Sequence, residues 1–239
     1  MTIVVAAFVV VAVIGGLVLA QRHQNRRLAG ERRRMIEPIL AMLELPRVDE
    51  RSGGYPVVSG SFVGRTVEIE LHADAISVRK LPTLWLFVSA ARSGRRDGVM
   101  SLMRRRRNTE YWSPFDDLAV AVPVPDGFPD DAVAAASDPG SAALVDSITG
   151  LAPWLRRDAS KEVLVRPRSV RLCELVGEGQ RGAYLIYRQS SFDGLHLDAG
   201  AVRATIAASV ALAGHLDSLA PLPPVTAASV GSVEAKSTP

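Results

Sequence analysis

Residues 55–90 read YPVVSGSFVGRTVEIELHADAISVRKLPTLWLFVSA, and the fold class turns on this stretch. Val67, Ile69 and Leu71 alternate with Glu68 and Glu70, the two-residue period of a strand with one wet face. Gly64-Arg65 interrupts the pattern after Phe62, so residues 55–71 predict two strands joined by a tight turn. LPTLWLFVSA (81–90) predicts a buried third strand, with Trp85 and Phe87 on one side and Leu84, Leu86 and Val88 on the other. Ten residues are too few to cross a bilayer, which takes about 20.

Toward the C-terminus, residues 91–113 read as a long basic loop, and 114–140 are rich in Pro, Asp and Gly with an extended piece at LAVAVPVP. Asp138-Pro139 suits a helix start, Asp as N-cap and Pro at the first helical position. Leu144, Val145, Ile148 and Leu151 would form its apolar face. KEVLVR, SVRLCELV and AYLIYRQ supply three more strand signals. Asp198 would cap a last helix with Val202, Ile206, Val210, Ala213 and Leu216 inside, stopped by Pro221, Pro223 and Pro224. Residues 220–239 are expected to be a disordered tail of small residues.

Toward the N-terminus, MIEPILAMLELP (35–46) places Ile36, Ile39, Leu40 and Leu43 at helical spacing. Pro38 suits only a first helical turn, which predicts a short separate helix ending before Pro46. Before it stands TIVVAAFVVVAVIGGLVLA (2–20), without a charge; as a helix it spans about 28 Å, close to the bilayer's hydrocarbon core. The order of anchor, helix, three strands, helix, three strands, helix is α+β, and it suggests a duplicated helix-plus-three-strands unit. The expected division is an anchor at 1–21, a basic juxtamembrane linker at 22–34, one domain at 35–219 and the tail at 220–239.

Arg22, Arg26, Arg27, Arg32, Arg33 and Arg34 follow the apolar run and none precedes it. Basic residues stay on the cytoplasmic side, so the expected topology is N-terminus outside and domain inside. A cleaved signal peptide would explain Val18-Leu19-Ala20, but the run lacks a positive n-region. Ala12, Gly16 and Ala20 recur every fourth position, a stripe through which two such helices could pair as a homo-oligomer.

The net charge of +3 hides an uneven layout. Residues 22–34 carry +5, residues 92–107 carry +6, and the remainder carries −8. With 25 arginines against Lys80, Lys161 and Lys236, and abundant Ala, Val and Gly, the chain reads as the product of a GC-rich bacterial genome. Arg104, Arg105, Arg106 and Arg107, near Met103, Tyr111 and Trp112, combine charge with interfacial groups. Lipid contact is the expected role of these four, of Trp112 and of the six juxtamembrane arginines, because each cation near an anionic leaflet contributes about 1 kcal/mol. Nucleic acid is a weaker candidate, since the acidic remainder repels a polyanion.

Other motifs carry little chemistry. GEGQRG (177–182) matches a dinucleotide-binding fingerprint in letters, but a strand signal follows where a helix is required. His72 and Asp74 share a strand face, yet no third ligand completes a metal site. Cys173, inside SVRLCELV, reads as an inert buried thiol, and no Ser sits on a nucleophile elbow. No cofactor, metal or catalytic residue is expected. The chain reads as a single-pass protein of the bacterial inner membrane, a non-catalytic scaffold or adaptor holding a protein partner, with a membrane-tethered enzyme as the alternative.

Overall fold

The computed structural model describes residues 2–50, 54–74, 81–94, 98–107, 110–179, 192 and 194–219. Helix α1 runs from Thr2 to Leu40. The strands described after it are β1 (Glu44–Asp49), β2 (Val57–Phe62), β3 (Arg65–Asp74), β4 (Thr83–Ala91), β5 (Met100–Arg104), β6 (Val120–Val122) and β7 (Ala132–Ala136). Three single helical turns follow: α2 (Pro139–Ala142), α3 (Leu144–Ser147) and α4 (Ala152–Leu155). Then come β8 (Ser160–Val165), β9 (Ser169–Glu178) and helix α5 (Ala199–Ser218). These strands form one antiparallel sheet in the order β1-β2-β3-β4-β9-β8-β5-β7-β6.

The protein is therefore α+β with a large antiparallel sheet. The predicted hairpin forms, its turn made by Val63 (φ 51°) and Gly64 (φ 72°) between Phe62 and Arg65. Leu84, Leu86, Val88 and Ala90 of β4 enter the main core with Leu172 and Val170 of β9. The same face receives α5 through Val202, Ile206, Leu212, Ala213 and Leu216, and the root of α1 through Ile36 and Ile39. α5 is long and apolar enough to cross a membrane by length and composition, but its inner face is buried on the sheet. Asp198 caps it as expected, accepting hydrogen bonds from the N–H groups of Gly200 and Ala201.

Four expectations need correcting. Residues 22–34 are not a linker apart from a second helix: they belong to one 39-residue helix, about 58 Å long at 1.5 Å per residue. Pro38 sits in its last turn, where the one hydrogen bond it forgoes is tolerable because the helix ends two residues later. The stretch before Pro46 gives way to β1, an edge strand, where a proline does no harm to the ladder. The basic loop of 91–113 contains β5, buried along its whole length between β7 and β8. Among the described residues the duplication does not appear: five strands precede the alanine-rich β6 and β7, and no helix-plus-three-strands unit repeats there. The helix predicted from Asp138 is split into separate turns, although Asp138 still caps Ser141 N–H at 2.9 Å and Leu144, Val145, Ile148 and Leu151 are buried. The predicted strand 183–189 and the tail 220–239 lie outside the described residues.

One carboxylate ties the end of α5 to the sheet. Asp217 accepts from Arg65 Nη1 at 2.8 Å, from the Ser93 hydroxyl at 2.9 Å and from the Gly94 N–H at 3.0 Å. Desolvation pushes this carboxyl up, but the hydrogen bonds from Arg65, Gly94 and Ser93 outweigh it and hold the group well below the usual carboxylate range. Without them, a negative charge in the last turn of a helix would oppose the helix dipole.

Two outcomes follow from this packing. Leu86, 2% exposed, has no room to collapse around a deletion, so Leu86→Ala should lower stability by about 2–5 kcal/mol in urea titration of the full chain in mild detergent. A change under about half a kcal/mol would mean a peripheral strand. Asp217→Asn should cost about 3 kcal/mol at pH 7. A depressed folded pKa contributes stability above the unfolded value, about 4, that is lost as pH falls through the folded one. The gap between wild type and Asp217→Asn should therefore narrow as the titration moves from pH 5 to pH 2.5; a pH-independent gap would mean that the charge does not matter.

Candidate membrane interface and the arginine cluster

The helix that carries the expected anchor also carries its basic flank and its root in the domain. Val13, Ile14, Leu17, Val18 and Leu19 are large apolar side chains left exposed, Leu19 at 66%. Beyond them Arg22, Arg26, Arg27, Arg33 and Arg34 are exposed, and Arg27 Nε lies 3.5 Å from Glu31 Oε1 one turn on. Arg32 differs: it donates to the Gly54 carbonyl at 3.1 Å and its guanidinium stands 5.3 Å from the centre of the Tyr55 ring. Next come Ile36 and Ile39, at 1% and 0% exposure. Ala12, Gly16 and Ala20 fall along one face of α1, four residues apart, and open space surrounds Gly16.

The second basic stretch is placed quite differently. β5 delivers Arg104 to the inside, 9% exposed. Its Nε and Nη2 grip the two oxygens of Asp131 at 2.8 and 2.9 Å, and its Nη1 donates to the Leu155 and Arg157 carbonyls at 2.8 and 3.1 Å. The hydrogen bond to Asp131 raises the arginine and holds the aspartate below the usual range. Arg105, at φ 46°, donates to the carbonyls of Asp158 and Ser160, each at 2.7 Å; burial, then the neighbouring Arg104, lowers it. Arg106 pairs with Asp116 and lies 5.0 Å from the Phe115 ring. The Arg107 N–H is held by both oxygens of Glu110, with its side chain exposed.

Trp112 is likewise turned inward. Its ring centre lies 5.4 Å from that of Trp85 and 5.2 Å from that of Phe87, on the face of β4 away from the main core. Arg171 of β9 completes the stack, 4.7 Å from Phe87 and 5.6 Å from Trp112. Lipid contact by Arg104, Arg105 and Trp112 is thus corrected: these groups pack onto the sheet. The side chains of Arg106 and Arg107 stay exposed, Arg106 pairing with Asp116.

Sequence reasoning missed the groups that bind this cluster. Glu162, with no exposure, accepts from Ser101 at 2.8 Å, from Arg171 at 3.0 Å and from Ser113. Lys161 Nζ donates to the carbonyls of Arg104 and Arg105 at 2.9 and 2.8 Å and to Glu110 Oε1 at 2.7 Å. Burial lowers its pKa, with Glu110 opposing, yet three acceptors match the three protons of an ammonium and keep Lys161 a fixed cation rather than a free base. It lines a cavity of about 130 Å³ with Arg105, Arg107, Glu110, Asp158 and Trp85. The only hint in the sequence is Lys161-Glu162 heading an otherwise apolar strand.

The remaining motifs are structural. Gly177, first glycine of GEGQRG, lies inside β9, where the Leu195 side chain approaches so closely that an added Cβ would meet it at 2.8 Å; residues 180–182 are outside the described residues. His72 stacks on Phe87 at 5.4 Å, and no group of three metal-ligating side chains occurs among the described residues. Burial pushes the Cys173 thiol well up.

The two classes of arginine should separate in chemical denaturation. Arg104→Ala strands Asp131 and two carbonyls and should cost about 3 kcal/mol. Arg106→Gln with Arg107→Gln should cost under about 1 kcal/mol, as exposed pairs do. Equal effects would show that the run acts as one solvated patch.

No family profile matches this chain, and no curated protein matches it in sequence. Among solved structures it is similar to the crystal structure of the mycobacterial trehalose monomycolate transport factor A, at 9% identity over 70% of this chain and 74% of that chain, with a TM-score of 0.31.

Proposed function

We propose that the protein is a single-pass membrane-anchored adaptor whose α+β domain stands on the cytoplasmic face of a bacterial inner membrane. The observation that carries this reading is the continuity of α1. The uncharged run 2–20, the arginines of 22–34 and the buried residues Ile36 and Ile39 belong to one helix. A helix rooted in the core at one end and apolar and exposed at the other is a stalk, and a stalk without a hinge fixes the distance and attitude of the domain above the bilayer. Lipid contact passes to Arg22, Arg26, Arg27, Arg33 and Arg34, while Ala12, Gly16 and Ala20 offer a face for pairing two stalks. Arg104 and Arg106 pair with Asp131 and Asp116, which disfavours nucleic-acid binding by this run.

The competing reading, a membrane-tethered enzyme, has one observation in its favour: the small cavity where Lys161, Glu110, Arg105 and Asp158 converge. Its lysine already has a full set of acceptors, which favours a structural role and leaves the domain as a platform for a protein partner.

A C-terminal fusion tests the topology. Green fluorescent protein at the C-terminus should fluoresce and alkaline phosphatase there should be inactive, because positive residues after the span retain the domain inside. An active phosphatase fusion would overturn the orientation.

A further inference from the structure

A cavity of about 440 Å³ lies where α1 meets the domain, between the helix face around Leu28 and Met35 and the walls formed by Tyr55, Phe192 and Leu195. Its floor is apolar. Tyr55 and Phe192 meet edge to face at 6.5 Å, both 8% exposed or less, and the Arg32 bond to Gly54 braces that wall against the helix. Its rim is cationic: Arg27, Arg32 and Arg34 line it against one carboxylate, Glu31, an excess of two positive charges. An apolar pocket with cations at the mouth is complementary to one kind of molecule, an anionic amphiphile.

Size narrows the choice. At about 30 Å³ per heavy atom, the share of one water in the liquid, 440 Å³ holds roughly fifteen non-hydrogen atoms. That matches the fifteen chain carbons of one palmitate below a carboxyl held at the rim. Position agrees. Arg27 lies seven residues after Ala20, about 10 Å along the helix axis, and the polar zone of a bilayer reaches roughly 5–8 Å past the hydrocarbon. The mouth therefore opens about 3–5 Å past the headgroup zone, a gap shorter than an arginine side chain.

We infer that this cavity binds one long-chain fatty acid from the adjacent leaflet, its carboxylate between Arg27 and Arg34 and its chain along Leu28, Met35 and Phe192. The supply route rests on the proposed span; the recognition rests on the cavity alone.

The test uses the full chain in phosphatidylcholine nanodiscs titrated with palmitate labelled with carbon-13 at the carboxyl, read by NMR. A separate carboxyl resonance should saturate at one palmitate per chain, and hexadecanol, equally long but uncharged, should not displace it. Arg27→Gln with Arg34→Gln should weaken binding at least tenfold, and Leu28→Trp, which fills the cavity from an exposed helix, should abolish it. Arg47→Gln with Arg168→Gln removes the same charge from exposed positions outside the cavity and should change the affinity less than twofold. No saturable resonance, equal loss in that control, or displacement by hexadecanol would overturn the inference. Alkaline carbonate extraction of the same membranes reports separately on the span: a chain released as soluble protein overturns the anchor while leaving palmitate binding to be judged in detergent micelles.

Discussion

The pairing of β4 with β9 is the constraint on which the rest of the structure depends. Nine residues of β4, Thr83 to Ala91, lie antiparallel to residues that follow them by roughly eighty to a hundred positions. Without that ladder the chain would hold two smaller sheets, β1–β4 and β5–β9, each with an edge open to aggregation. With it, Val88 and Ala90 pair with Leu172 and Val170 on one continuous floor, broad enough for α5 to lie across β4 and β9. So distant a pairing is closed against a large loop entropy. The apolar area gathered under α5, and Asp217 tying its end to Arg65, Ser93 and Gly94, are what offset it.

A sheet has two faces, and the main apolar core covers one of them, with Met103, Phe115 and Ala135 in a smaller apolar cluster. Glu162, Arg171 and Lys161 are buried outside the main core, and a buried charge is tolerable only when fully partnered. Residues 110–118 supply the partners: Ser113 for Glu162, Glu110 for Lys161, and the Trp112 ring for Arg171. The segment is held down by the charges it covers. This explains why a stretch with so much positive charge is neither extended nor free.

The local elements were legible in the sequence where one force dominated. The β2–β3 hairpin, the two faces of β4, the Asp138 and Asp198 caps and the inner face of α5 follow from alternation, turn chemistry and capping, all short-range effects. β7 was not legible, because AVAAA has no strand preference of its own and is extended only by pairing with β5 and β6. β5 was hidden by the arginines after it, and the partners that bury Arg104 lie 27 and more residues away. The candidate cavity was invisible for the same reason: its walls come from α1, Tyr55, Phe192 and residues 194–197, which no spacing rule connects.

The two basic stretches show what composition alone leaves open. Both are dense in arginine, and sequence gives both the same role. Their neighbours separate them. Arg104 and Arg106 meet Asp131 and Asp116, and Arg105 is held by the carbonyls of Asp158 and Ser160, so most of this run is engaged within a folded layer. Arg22, Arg26, Arg27, Arg33 and Arg34 are exposed on α1, with Glu31 as the one carboxylate in the stretch, so most of that charge stays directed outward. An unneutralised positive collar one to two turns past an uncharged helical run is what an anionic leaflet would retain on its own side. In the proposed anchored arrangement, the asymmetry between the stretches, rather than the presence of arginine, would give the domain its membrane-facing end.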